Sequence, residues 1–327
     1  MGPVRRMKID MFLVLILATV GIAALLPARG AVAAGFAHAT TVAVALLFFL
    51  YGARLSTREA VEGLRHWRLH GTVVVATFVL FPLLGLAVQL VPASVLPTEL
   101  KLGVLFLCCL PSTVQSSIAF TAVARGNVPA AICAASLSNL LGIVVTPLLA
   151  GLLLSAQGGI SGGAVLDVAL QLLAPFVLGQ LVRRWIAGWV IRNKRYLQVV
   201  DRGSILLVVY VAFSEGMVEG IWGRLSLGAL ATLVVTCVVL LAVALAATWF
   251  LPARSFPRED RITILFCGSK KSLASGLPMA GVLFAGGQVG LLVLPLMLFH
   301  QIQLMACAVI AGGLARRTTP ETTPAGI

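Results

Sequence analysis

Charge is scarce in this sequence: Asp, Glu, Lys and Arg make up 11% of its 327 residues, against roughly a quarter in soluble globular domains. The charges lie mostly outside long apolar runs, and with those runs set aside no stretch remains that could fold as a soluble domain. Cysteine supplies no framework either. Cys108, Cys109, Cys133, Cys237, Cys267 and Cys307 all fall inside the apolar runs, where a thiol behaves as a small apolar side chain. A disulfide scaffold is therefore not expected, and no metal-ligand spacing occurs. A set of nucleophile, base and acid is also missing, which leaves an enzyme reading without support.

What is abundant is apolar sequence, 60% of the chain. Each membrane span needs about 20 mostly apolar residues, and the runs fall at 10–28, 34–52, 70–91, 98–122, 128–154, 162–183, 203–222, 226–250, 262–284 and 288–314. The pattern predicts an all-α membrane protein of ten transmembrane helices, one integral membrane domain over residues 1–327, with a disordered cytoplasmic tail at 315–327. Arg5, Arg6 and Lys8 precede the first run, which ends near a signal-like Ala31, Val32, Ala33, Ala34 stretch. Its apolar core, about 17 residues, is longer than a usual signal h-region, so the run is expected to stay as a span.

The net charge of +13 points to the bilayer, not to nucleic acid. With the N-terminus inside, 19 of the 24 basic residues fall in cytoplasmic segments, which is the positive-inside asymmetry. A nucleic-acid surface would gather them on a soluble module. The basic excess instead faces anionic lipid, and the chain is expected in the cell membrane, both termini cytoplasmic.

Ten spans divide into two sets of five, at 10–154 and 162–314. Five is odd, so the second set enters from the opposite side, the inverted-repeat arrangement of secondary transporters. The fourth span of the first set carries CCLPSTVQSS (Cys108 to Ser117) and that of the second FCGSKKSLASG (Phe266 to Gly276). Pro111 lacks an N–H and breaks its span; Gly268, Gly276 and Pro278 loosen the other. Unwound backbone survives in a membrane only where protein or a wet cavity receives it. Two broken helices crossing here would form a polar centre.

Candidate binding residues follow: Ser112, Thr113, Gln115, Ser116 and Ser117 on one side, Ser269, Lys270, Lys271 and Ser272 on the other, with Ser136, Ser138 and Asn139 in the fifth span and Gln301 in the tenth, beside His300 and Gln303. A single serine in a membrane helix more often bonds its own backbone or a neighbouring helix; a cluster is harder to dismiss. The lysines are the sharper anomaly, because an ammonium at mid-bilayer costs at least about 2.5 to 3.5 kcal/mol. Snorkelling is the bland alternative, yet Lys270 lies nine residues from Arg261, about 13 Å along a helix.

The stretch from Cys108 through Leu149, with CCLPSTVQSS, then ARGNVPAA (Ala124 to Ala131) and the serine-bearing fifth span, resembles the bile acid:sodium symporter family, closest to its bacterial branch related to the seventh vertebrate bile-acid carrier. The likeness covers essentially the whole chain. It implies a panel of spans one, two, six and seven against a core of spans three to five and eight to ten.

The resemblance also implies sodium ligands, and here the chain departs. Sodium-coupled members carry a Glu-x-Gly-x-Gln-Asn-Ser-Gly pattern in the ninth span; with its first glycine on Gly268, Phe266 takes the carboxylate position, Lys270 the glutamine and Lys271 the asparagine. The fifth-span hydroxyl ligands fall on Ala131 and Ala135, while the Ser-Asn ending of the family's fourth-span motif matches Gln115-Ser116 or Ser116-Ser117, so the resemblance implies Ser116 and Ser117 as candidate sodium ligands. An ammonium about 4 Å from a sodium ion repels it by about 4 kcal/mol at an effective dielectric near 20. The expectation is a symporter-like carrier of a small organic anion with altered sodium coupling. Proton coupling through a titrating lysine is one alternative, and a non-transporting membrane regulator of ion homeostasis is another.

Overall fold

Hydrocarbon offers a backbone no hydrogen-bond partners, so a chain this apolar must satisfy its peptide groups within helices. The computed structural model describes residues 11–54, 66–156, 162–218, 220, 223, 225–284 and 289–316, and among these all regular structure is helical. We number the helices α1 (Met11–Leu25), α2 (Gly30–Arg54), α3 (Trp67–Gln89), α4 (Thr98–Cys109), α5 (Gln115–Val123), α6 (Val128–Ala156), α7 (Gly162–Arg192), α8 (Lys194–Val218), α9 (Leu227–Phe250), α10 (Arg258–Gly268), α11 (Leu273–Leu283) and α12 (Val289–Arg316). Among the described residues six helical stretches are long and apolar enough to cross a membrane: Gly30–Arg54, Trp67–Gln89, Val128–Leu154, Arg195–Val218, Leu227–Phe250 and Val289–Arg316. Arg5, Arg6, Lys8 and the expected tail from Arg317 onward lie outside the described residues.

The expected fourth and ninth spans are each two short helices. α4 and α5 have 12 and 9 residues, with an unwound stretch from Leu110 to Val114 between them. α10 and α11 have 11 residues each and are interrupted from Ser269 to Ser272. α7 differs from expectation in length, running to Arg192 where the apolar run ends near 183. Hydropathy marks where lipid ends, whereas a helix continues into water as long as its backbone bonds do.

The chain forms two compact units. The first holds α1, α2, α7 from Leu170 onward, α8 and residues within Leu277–Leu291. In it α1 and α2 both pack on α8, and α2 meets α7 at a glycine pair. A Cβ added at Gly52 would stand 2.1 Å from Phe176 O, and one at Gly179 would stand 2.1 Å from Phe49 O. Small residues of this kind let membrane helices approach backbone to backbone. Arg54 pairs with Asp201 in the same unit.

The second unit holds α3 to α6, α9, α10, the start of α11 and α12 from Leu292. α9 shows how the bilayer acts as solvent here. It buries the stripe Ala229, Leu233, Cys237, Leu240, Leu241, Ala244 and Thr248, yet its outward Val235, Val238 and Val239 are also apolar. A helix apolar all round has no water-facing side. Ser226 caps it, its hydroxyl accepting from Ala229 N at 3.1 Å, and Asn127 caps α6 by accepting from Ala130 N at 3.1 Å.

Candidate functional site

The polar centre lies in the second unit, where the two helix breaks meet. Pro111 stops α4, and carbonyls that would have bonded down the helix need donors from elsewhere. Each finds one. Cys109 O accepts from Thr146 Oγ1 at 2.8 Å, Pro111 O from Ser272 N at 2.9 Å and Ser112 O from Asn139 Nδ2 at 2.7 Å. Ser112 N donates to Ser138 Oγ at 3.0 Å. Glycines admit this proximity: a Cβ on Gly142 would stand 2.6 Å from Pro111 Cβ, and one on Gly276 would stand 2.4 Å from Leu110 Cδ1.

Lys271 completes that accounting. Its Nζ donates to Cys108 O at 2.8 Å, Leu110 O at 2.7 Å and Thr77 O at 2.8 Å. An ammonium has three N–H donors, so all are used, and the cation also sits 4.2 Å from the centroid of the Phe81 ring. Thr77 O is free for a traceable reason. Before Pro82 the helix widens over Ala76–Leu80 so that Phe81 N bonds Ala76 O, five residues back. The donor next in that register would be Pro82, which has none. The Lys271 backbone is gripped as well: Gln303 Oε1 accepts from Lys271 N at 2.9 Å and Gln303 Nε2 donates to Lys271 O at 2.8 Å. The second Nε2 proton points to His300 Nδ1 at 2.9 Å, making that ring nitrogen the acceptor.

Lys270 is as deeply buried but differently met. Its Nζ donates to Ser116 Oγ at 2.7 Å and lies 4.4 Å from the centroid of the Phe120 ring. From Ser116 a hydroxyl chain runs on. Ser116 Oγ donates to Thr113 Oγ1 at 2.9 Å, Thr113 and Ser117 are 2.8 Å apart, and Ser117 Oγ donates to Phe266 O at 2.9 Å. An ammonium only donates and a carbonyl only accepts, so the ends fix every proton in the chain: Lys270, Ser116, Thr113, Ser117, Phe266 O. Neither lysine has a carboxylate partner among the described residues.

A second chain holds the breaks together. Ser272 Oγ donates to Ser275 Oγ at 3.0 Å, and Ser275 Oγ donates to Asn139 Oδ1 at 2.9 Å. The structure thus brings together Ser112, Thr113, Ser116, Ser117, Ser138, Asn139, Lys270, Lys271 and Ser272. Ser269 is buried but bonds back to Leu265 O in its own helix. Gln115 is exposed on α5, and Ser136 and Gln301 are half-buried; none of the three joins the network. Thr77, Phe81, Phe120, Thr146 and Gln303 are the participants that sequence reasoning did not single out as site residues. The Phe81-Pro82 pair was the available signal for the first two.

Several helices long and apolar enough to cross a membrane, beside two helical segments interrupted midway whose polar backbone other helices receive, match the make-up of a multi-pass membrane transporter. The chain belongs to the SBF-like CPA transporter family, whose model matches residues 10–316. It is 56% identical to protein PA2026 of Pseudomonas aeruginosa over 94% of this chain and 93% of that one. It is 51% identical to "Putative symporter YfeH" of Escherichia coli K12 (95% and 94% covered) and 30% identical to sodium/bile acid cotransporter 7 of Rattus norvegicus (95% and 94% covered).

Proposed function

We propose that this protein is a secondary active transporter that moves a small organic anion by alternating access, with Lys270 serving as a fixed internal cation where relatives would hold a coupling ion. The observation that carries the reading is the Lys270 ammonium, buried at the crossing of two broken helices, donating to Ser116 Oγ at 2.7 Å and facing no carboxylate among the described residues. A buried cation without a counter-ion is an electrostatic vacancy for an anion.

The donor set does not fit a sodium ion at Ser116 and Ser117. Ser116 Oγ already receives an ammonium proton, and Ser117 Oγ lies within the same chain. At the position the family resemblance gives to a carboxylate stands Phe266, buried with its ring 5.9 Å from Phe120. Ala131 and Ala135, at the hydroxyl-ligand positions, are buried and carry no side-chain oxygen. These residues favour transport that needs no sodium.

The grouping of α1, α2, α7 and α8 in one compact unit supports a panel of spans one, two, six and seven, and the two interrupted helices support a ten-span inverted repeat. The basic residues favour a cell-membrane protein with both termini on the cytoplasmic side. The test is uptake into proteoliposomes of labelled organic anions, beginning with a bile acid because the rodent relative's name specifies one. Uptake that persists without sodium, and is lost in Lys270→Ala, is expected. Strict sodium dependence, or full uptake by Lys270→Ala, would overturn the reading. A pH-gradient arm reports whether protons drive the transport.

A further inference from the structure

The positive charge at the polar centre is tethered there. Lys270 is buried, donates to Ser116 Oγ at 2.7 Å and rests 4.4 Å from the centroid of the Phe120 ring. A hydroxyl and an aromatic face orient an ammonium without cancelling its charge. The acidic residues of the two interrupted segments stand at their far ends, Glu99 in the first turn of α4, and Glu259 and Asp260 in the first turn of α10. Each is a helix length from the break, and Asp260 accepts from Asn127 Nδ2 at 2.8 Å. The thiols beside Lys270, Cys267 and Cys307, are buried and act as small apolar groups. Lys271 adds a second cation, but three backbone carbonyls hold it within the frame.

A tethered cation imposes a different cycle from a bound one. A sodium ion that neutralises a site departs with the solute, and the site then crosses back without either. The ammonium of a lysine stays behind. Once the anion has left, the return step carries a bare cation through a closed state that protein and lipid shield from water, which is costly. A second anion at Lys270 removes that cost on the way back as the first did on the way in. A ligand that binds the closed state better than the open ones shifts the population toward it, so both crossings are fast only when the site is loaded.

Resting on the transport reading above, we propose that the protein is an anion exchanger: Lys270 lets the site change sides only with an anion bound, so each anion imported is matched by one exported. Preloading tests this directly. Proteoliposomes filled with unlabelled cholate should take up labelled cholate at least about tenfold faster than proteoliposomes holding buffer alone. An imposed potassium diffusion potential should leave the preloaded rate unchanged, because the two anions carry equal charge. In Lys270→Gln a neutral amide replaces the ammonium, and the ratio of preloaded to empty rates should fall to about one whatever the absolute rates. Equal parent rates in preloaded and empty vesicles would overturn exchange and leave the carrier reading intact. So would uptake into empty vesicles that an inward proton gradient brings up to the preloaded rate, since Lys270 would then shed its charge on the return. A preloading effect that survives Lys270→Gln would also overturn it, by placing the origin elsewhere than the ammonium. No cholate uptake by either set of vesicles would overturn the carrier reading and exchange together.

Discussion

Lys270 and Lys271 are neighbours in sequence, both fully buried and both without a carboxylate partner among the described residues, yet their surroundings divide them. Lys271 gives all three ammonium protons to backbone carbonyls left over from two disrupted helices. It therefore does for α4 what a cation does at any helix C-terminus, capping orphan carbonyls at the negative end of the dipole. Among the described residues Lys270 makes one hydrogen bond, to a hydroxyl, and it rests on an aromatic face. The saturated cation is part of the frame, and the unsaturated one still has capacity for a ligand. Burial alone could not have told them apart; counting donors against acceptors does.

Breaking the frame should produce the largest effect. Lys271→Met keeps an apolar stem of similar length but leaves Thr77 O, Cys108 O and Leu110 O without their donor. Each buried orphan costs about 1 to 3 kcal/mol, and together they approach the whole stability of a typical domain. The variant is expected to be absent from the folded fraction on detergent size-exclusion chromatography. Gln303→Ala should come next. It frees both the N–H and the C=O of Lys271 and should lower stability by about 2 to 4 kcal/mol, read as a fall in melting temperature. A Gln303→Ala protein that melts with the parent would mean that the amide grip is incidental.

Lys270→Ala sharpens the comparison from the other side. Removing an under-coordinated buried cation relieves desolvation as well as breaking a bond, so the melting temperature should stay close to the parent's. Transport should not. A hydrogen bond to a charged group contributes about 1.5 to 3 kcal/mol, so anion uptake at low substrate should fall by roughly 10- to 150-fold. If the two lysine variants behaved alike in both assays, the division between frame and site would be wrong.

The breaks were legible in the sequence because Pro111 and the glycines around 268 and 276 act through backbone chemistry that needs no tertiary context. The lysines stood out because charge in an apolar run is costly wherever the helix sits. Their division of labour was not legible, since it depends on a carbonyl at Thr77, in another helix, released by a widened turn before Pro82. Choosing among amides was equally beyond reach. Gln301 and Gln303 point about 200° apart on one helix, and only packing decides that Gln303 faces Lys271. Gln115 fell outside the network for the same reason, one residue and about 100° from Ser116.

The hydroxyl chain offers the finest distinction. Ser117 sits at its far end, where its proton goes to Phe266 O and its oxygen receives Thr113. Ser117→Ala leaves that carbonyl bare and should lower stability by about 1 to 2 kcal/mol, the cost of one unmet neutral acceptor. It also lets the Thr113 hydroxyl turn back toward Ser116, so that two protons compete along a segment that previously pointed one way. Ser116 would then be a poorer acceptor for Lys270, and uptake should drop, but by less than tenfold, since the cation itself remains. Uptake equal to the parent's in Ser117→Ala, with Lys270→Ala still impaired, would show that Lys270 is held by Ser116 and the Phe120 ring without help from the rest of the chain.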